Sequence, residues 1–396
     1  MISYIKLQTN RVKRLCWFLL AMIVRNFTKV DEHKVFCWSY NFRKYACNPR
    51  AITEYLLDNA PEYKIIWAFD RKFDTSKLDS RIKVVRVYSF DHLIALYSSK
   101  FVFYNTRNYQ FDSMFIKKRS QKYIMTWHSS IRLKRIEKDA IEQLGFQYEK
   151  IAKKDSSMCD LMLSNSRMFT NLIRKSFWYD GEILEKCIPR NDVFYNESTK
   201  KRTYRNIRKS MGFSFDTKIV LYAPTFRGTS KDLRYYKLNW DRLLPYFEKK
   251  LGAPVEILVR LHPNMADIEN LGSLVNNVHV HDITKAPDIT EFLFAADVMI
   301  SDYTSAMFDF ALLRKPCFIY AIDKNEYDRG FYWKFDQLPF PFSETENQLI
   351  ENIKSFSLSE YYKSIDRFQD EIWGLDEDGQ ACKRLYNWLD NNLNTR

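Results

Sequence analysis

Glycine is scarce: 9 of 396 residues, with no G-x-G-x-x-G run and no P-loop among them. Both patterns use closely spaced glycines to bring backbone N–H groups up to a phosphate. Any nucleotide site in this chain is therefore built another way. The 7 cysteines (Cys16, Cys37, Cys47, Cys159, Cys187, Cys317, Cys382) are odd in number and never spaced C-x-x-C. That excludes a disulfide framework and a zinc site of the usual spacing, and fits reduced thiols inside a cell. Long apolar runs are also missing. Residues 15–24 are apolar between Arg14 and Arg25, but a bilayer needs about 20 such residues. Carboxylate clusters are absent as well: Asp302 and Asp309 do not make a metal site between them, because hard cations want several oxygen ligands. The expectation is no metal and no cofactor.

What is present is positive charge and aromatic bulk. Lys+Arg number 62 against 49 Asp+Glu, a net charge of +13, while 46% hydrophobic and 16% aromatic residues allow a sizeable core and exclude disorder as the main state. The charge is uneven. Residues 1–30 hold Lys6, Arg11, Lys13, Arg14, Arg25 and Lys29 and no acid. An apolar helix with basic flanks suits an anionic membrane surface; an ordinary first helix packed on its domain is the alternative. No recognisable nucleic-acid module accompanies the charge, so nucleic acid is not an expected partner.

Along the chain, short β-branched and aromatic runs at 35–38, 64–68, 82–87, 101–104, 123–126 and 160–163 read as strands. Helical patterns lie between several of them, at 49–59 and 90–98, and Ser166 is placed to cap another helix. The alternation breaks near 193–216, where residues 200–209 carry six basic residues and no acid, and restarts with strands at 218–222, 255–259, 278–280, 298–300 and 317–320. Such alternation predicts an α/β fold with parallel sheets, as two Rossmann-like domains facing a cleft. The expected boundaries are 1–30 for the basic amphipathic segment and 31–195 for the first domain. A basic linker at 196–212, a second domain at 213–375 and a C-terminal helix at 376–396 complete the chain.

Chemistry-bearing residues gather at predicted strand ends. After a strand ending at Ile300, the residues Ser301, Asp302, Thr304 and Ser305 crowd the turn before an apolar helix. Free N–H groups at a helix start plus two hydroxyls make a phosphate site without glycine; plain N-capping accounts for the same residues. Arg260-Leu-His-Pro263 ends another strand, and Pro263 stops the ladder. His262 then sits at a strand's carboxyl end, where α/β folds bind ligands. Tyr222-Ala-Pro-Thr-Phe-Arg227 repeats the arrangement, and so does Trp127-His128, with Arg132, Lys134, Arg135 and Lys138 following and Glu137 the sole acid among them. A lone histidine is more often structural than catalytic. A strand-end histidine in cationic company points to an anionic ligand.

These segments, in this order, resemble the CDP-glycerol glycerophosphotransferases of teichoic-acid and capsule synthesis. The similarity runs from about residue 120 to 335. It is carried by Thr126-Trp127-His128, Leu133-Lys134, Pro189-Arg-Asn-Asp192, Tyr222 to Arg227, Arg260 to Pro263, Asp288-Ile289, Ser301 to Ser305, Phe308-Asp309 and Arg329-Gly330. The first 110 residues carry no motif of the family. Two departures stand out: Ser129, Ser130 and Ile131 follow the Trp-His pair where the family often has glycine, threonine and proline, and Cys187-Ile188 precede Pro189 where a glycine is common.

The resemblance implies a glycosyltransferase-B-like fold and transfer of an alditol phosphate from CDP-glycerol or CDP-ribitol to a hydroxyl of a lipid-linked glycan acceptor, releasing CMP. It implies a peripheral position on the cytoplasmic face of the membrane. A sugar-nucleotide glycosyltransferase shares the fold and is the alternative. Carried over, the first domain is the acceptor side, with His128 a base for the acceptor hydroxyl, and the second binds the donor. His262, Arg227, Thr304 and Ser305 would contact the pyrophosphate and His262 would share in catalysis. Arg260, Asp302 and Arg329 would complete the donor site, with Asp288 near the nucleotide. Arg132, Lys134, Arg190, Asn191 and Asp192 would bind acceptor or phosphate.

Overall fold

The computed structural model describes residues 2–107, 116–129, 131–227, 233–261, 265, 274, 277–286, 288–324, 326 and 330–393, with the backbone alone for 2–14. The chain divides into two compact units. The first comprises Met1–Ser130, Glu137–Asp192 and Asp376–Arg396; the second comprises Ile131–Ile136 and Val193–Leu375.

The strands of the first unit are β1 (Asp31–Cys37), β2 (Lys64–Phe69), β3 (Lys83–Arg86), β4 (Ser99–Tyr104), β5 (Lys122–Met125), β6 (Leu161–Leu163) and β7 (Glu182–Leu184). They form one sheet in the order β3-β2-β1-β4-β5-β6-β7, parallel throughout. Helices cover both faces of such a sheet, so central strands read as unbroken apolar runs; Ile65 to Phe69 are all buried. On one face Val35, Cys37, Trp67 and Phe103 pack with Ile52 and Leu56 of the helix Cys47–Asn59.

The second unit holds β8 (Lys218–Tyr222), β9 (Val255–Val259), β10 (Val280–Asp282), β11 (Val298–Ser301), β12 (Cys317–Tyr320) and β13 (Phe342–Ser343), in the order β10-β9-β8-β11-β12-β13 and again all parallel. The doubly wound α/β architecture expected from the alternation is therefore present in each unit. In each sheet the strand order reverses direction beside the first strand, between β1 and β4 and between β8 and β11. Such a switch point opens a crevice at the carboxyl ends of the strands, where ligands bind.

Three expected boundaries differ. The C-terminal helix Ala381–Asn391 is not an appendage: Leu385, Trp388 and Leu389 enter the core of the first unit against the helix Cys47–Asn59. Residues 131–136 leave the first unit for the second. Backbone hydrogen bonds from Arg135 N–H to Gly330 O (3.2 Å) and from Tyr332 N–H to Leu133 O (2.8 Å) hold them there. The expected linker at 196–212 is a helix, Glu197–Met211, capped by the Asn196 side chain and ended by Gly212 in the left-handed region. Its buried Arg208 donates to Asp297 at 3.1 Å and to the carbonyls of Ser214 and Thr217, which anchors the helix in the second unit.

The first helix, Ile2–Phe27, runs far beyond the apolar stretch, and among the described residues no helix is long and apolar enough to cross a membrane. Ala21 and Val24 are buried, and the helix packs on the helix Phe90–Ser98. Leu15, Leu19, Ile23 and Phe27, four residues apart on one stripe, remain exposed.

Candidate functional site

In the first unit, three loops leave the carboxyl ends of β1, β4 and β5 on both sides of the switch point. They carry Tyr40, Asn105 and His128. The Nδ1 of His128 lies 2.9 Å from the carbonyl oxygen of Asn105. A carbonyl only accepts, so Nδ1 carries a proton, and in the neutral tautomer the lone pair is at Nε2. Asn105 is itself held, because its side-chain oxygen accepts the Tyr40 N–H at 2.9 Å. The Tyr40 ring meets the imidazole edge-on at 6.0 Å and the Trp127 ring lies 4.7 Å away, leaving the histidine half-buried. This arrangement orients one histidine at the rim of a sheet, with Nδ1 turned to the Asn105 carbonyl.

Trp127 adopts φ +51°, the left-handed region, where a bulky side chain is strained by roughly 1–2 kcal/mol. Behind it sits Phe177, edge-on at 4.9 Å. Beneath Phe177 lies a buried ionic cluster that sequence reasoning missed. Arg107 donates to Glu137 (2.9 Å), to Asp155 (3.1 Å), to the Ser156 hydroxyl and to the Phe177 carbonyl. Burial raises the Asp155 carboxyl to about 6 in spite of Arg107, whose charge Glu137 shares.

The Pro189 to Asp192 motif also belongs to this unit. Both Asp192 oxygens accept N–H groups at the start of the C-terminal helix, from Ala381 and Cys382 at 2.8 Å each. Burial raises the Asp192 pKa and those two bonds oppose the rise. Asn191, buried, donates to Glu377 at 2.7 Å, and the Arg190 N–H donates to the side chain of Asn48. These contacts fasten the returning helix and give the motif a structural role.

In the second unit the loops after β8, β11 and β12 converge. Arg227 is gripped by two carboxylates: Asp302 at 2.6 Å and Asp323 at 2.6 Å, with a second bond to Asp323 at 3.0 Å. Its Nη1 also donates to the Thr225 carbonyl at 2.6 Å. Burial opposes the charge on Arg227, but the carboxylates outweigh it and hold its pKa above the ordinary value. The trio carries a net charge of −1, so the arginine expected on the pyrophosphate is neutralised by its own neighbours. Asp302 additionally accepts the Thr225 N–H at 2.8 Å, and the Tyr303 hydroxyl donates to Asp323 at 2.9 Å. Asp323 carried no sequence signal; its strand-end position after β12 is the only cue.

Thr304 and Ser305 follow Asp302, half-exposed where the flanking Tyr303 and Ala306 are buried. The Thr304 hydroxyl accepts the Ala306 N–H at 3.4 Å, and the Ser305 side chain makes no capping bond. Arg260, after β9, is buried and donates to the Ile283 carbonyl at 3.3 Å; burial lowers its pKa, with Asp288 opposing. Asp288 accepts the Thr290 N–H at 2.9 Å. Arg132 and Lys134, expected to bind acceptor or phosphate, sit in the second unit because residues 131–136 do, and the Lys134 ammonium lies 6.0 Å from the Tyr303 ring. A groove of about 730 Å³ beside this network is walled by Phe331, Tyr332, Trp333 and Phe335 and edged by Lys324 and Lys334. His262 and Arg329 lie outside the described residues. Among the described residues no group of three or more His, Cys, Asp or Glu side chains could hold a metal ion.

Residues 19–391 match the family described as CDP-glycerol:poly(glycerophosphate) glycerophosphotransferase. The teichoic acid poly(glycerol phosphate) polymerase of Bacillus subtilis (strain 168) is 29% identical over 96% of this chain. The chain spans 51% of that relative, about half its length. The teichoic acid glycerol-phosphate transferase of Staphylococcus aureus (strain NCTC 8325 / PS 47) is 26% identical, with 95% of this chain and 98% of the relative covered. A solved structure of the wall teichoic acid polymerase TagF soaked with CDPG superposes with a TM-score of 0.82 at 26% identity, covering 99% of this chain and 98% of that one.

Proposed function

The chain belongs to the CDP-glycerol:poly(glycerophosphate) glycerophosphotransferase family, and from that premise we propose that it moves glycerol phosphate from CDP-glycerol to a hydroxyl of a lipid-linked wall or capsule glycan, releasing CMP. The acceptor oxygen bonds to the glycerol-bearing phosphorus, the bond from that phosphorus to the CMP oxygen breaks, and the hydroxyl proton passes to Nε2 of His128. The observation that carries this reading is the 2.9 Å contact between His128 Nδ1 and the Asn105 carbonyl, which leaves Nε2 basic at the rim of the sheet. A positioned base of this kind contributes about 10²–10⁴-fold in rate.

Charge that develops on the departing CMP needs fixed donors. In this reading Thr304, Ser305 and Arg260 supply them at the carboxyl ends of β11 and β9. His262 and Arg329 join them on the strength of the family motifs, with Asp288 beside Arg260. Arg227, already held by Asp302 and Asp323, shapes the loops that present those donors. Lys134 and Arg132 add positive charge in the same unit.

The enzyme would work from the membrane surface. The exposed stripe of Leu15, Leu19, Ile23 and Phe27 on a helix with basic flanks and no acid in residues 1–30 suits an interfacial helix on anionic lipid. Incubating purified protein with CDP-glycerol or CDP-ribitol and a lipid-linked acceptor, then weighing the products, tests the assignment. Mass gains of one glycerol phosphate with CMP release from CDP-glycerol are expected. Turnover of sugar nucleotides alone would overturn it.

A further inference from the structure

We infer that Asn48 is a positioning residue for His128, tying the peptide that precedes the histidine to the helix Cys47–Asn59 and to the Arg190 loop. This inference rests on His128 being the base proposed above. Asn48 is fully buried in the first turn of that helix and its amide is used on both sides. Nδ2 donates to the carbonyl oxygens of Thr126 at 3.0 Å and of Trp127 at 3.1 Å, and Oδ1 accepts the Arg190 N–H at 2.9 Å.

The Trp127 carbonyl belongs to the peptide bond that leads into His128, so its direction sets where the imidazole starts. Asn48 Nδ2 and the Cys47 thiol, the latter at 4.0 Å, donate to that oxygen, and the Thr126 hydroxyl lies 3.1 Å from both it and the Tyr104 carbonyl. Trp127 itself sits at φ +51°. A tryptophan keeps such a conformation only where its surroundings over-determine it, and strained backbone of this kind concentrates at functional sites. The ring of His128 is fixed separately by the Asn105 carbonyl. Asn48 thus holds the backbone at one end of the histidine while Asn105 holds its Nδ1 at the other.

The test compares Asn48→Asp, Asn48→Ser and His128→Ala in the full chain. Asn48→Asp keeps the shape and the acceptor for Arg190 N–H but aims a carboxyl at two carbonyls; Asn48→Ser keeps one small donor and carries the test if the aspartate variant does not fold. With folding checked by circular dichroism, we expect kcat for CMP release to fall about 10–100-fold, as a small misplacement of a reacting group does. The KM for CDP-glycerol should stay within about twofold, because the loss is in positioning and not in uniform binding. Added to His128→Ala, the Asn48 change should cost less than about a further twofold, since coupled groups lose only once. Wild-type kcat in a folded Asn48 variant, a raised KM with unchanged kcat, or a full multiplicative loss in the double variant would each overturn the positioning role. Failure of the underlying reading looks different: His128→Ala alone would then turn over at the wild-type rate.

Discussion

Arg227 and Asp302 form a buried ion pair 2.6 Å long that bridges the loops following β8 and β11, the two strands on either side of the switch point in the second unit. Asp323 closes the other side of the guanidinium from the loop after β12. One side chain therefore sets the mutual position of three strand ends.

Removing that arginine leaves two buried carboxylates facing each other. Arg227→Ala is expected to destabilise the protein by about 3–5 kcal/mol, the range for an orphaned buried charge. Arg227→Lys should recover part of this, since an ammonium keeps the charge but not the fork. Urea unfolding of the two variants checks the order; equal stability of Arg227→Ala and wild type would remove the cluster from the account.

The Asp155 carboxyl, raised by burial to about 6, makes a signed prediction for pH. The folded state holds this proton more tightly than the unfolded chain, where the group titrates near 3.8. Its contribution to stability is therefore full below about 3.8 and is lost as pH rises through about 6. Relative to Asp155→Asn, wild type should lose ground between those values. Thermal unfolding of both proteins across that range measures the difference, and a gap that stays constant or moves the other way would contradict the buried-cluster assignment.

The exposed stripe on the first helix predicts membrane behaviour that charge alone would not produce. Burying one leucine or isoleucine side chain contributes about 1.5–3 kcal/mol, so Leu19→Glu or Ile23→Glu should each cut binding to anionic vesicles by about 10-fold or more. Added salt should weaken binding of wild type and variants alike through the basic residues. Sedimentation with anionic and neutral vesicles reads this directly. Unchanged binding by both variants would return the helix to an ordinary packing role.

The sequence made most of this architecture legible, and its failures have physical causes. Runs such as Lys64 to Phe69 are apolar on both faces, and that pattern identifies buried parallel strands. β7 and β13 are edge strands of 3 and 2 residues, too short to carry any pattern. The helix Glu197–Met211 buries almost only Arg208, so its basic composition resembled a linker. The exchange of residues 131–136 and the return of Ala381–Asn391 are set by contacts far apart in sequence, which no local signal encodes. The same division holds at the site. His128 stood out by its place at a strand end, but Asn105 acts through a main-chain carbonyl and Asn48 meets main-chain carbonyls distant in sequence, and no local pattern marks either contact.

In the proposed reaction His128 takes the acceptor proton on a ring oriented by the Asn105 carbonyl. Its most direct test is the rate of CMP release from CDP-glycerol, with lipid-linked acceptor present, by purified wild-type and His128→Ala protein, alongside CDP-glycerol binding by calorimetry. A fall of about 10²–10⁴-fold in rate with donor affinity retained is expected. Release of CMP at the wild-type rate by a folded His128→Ala variant would contradict it.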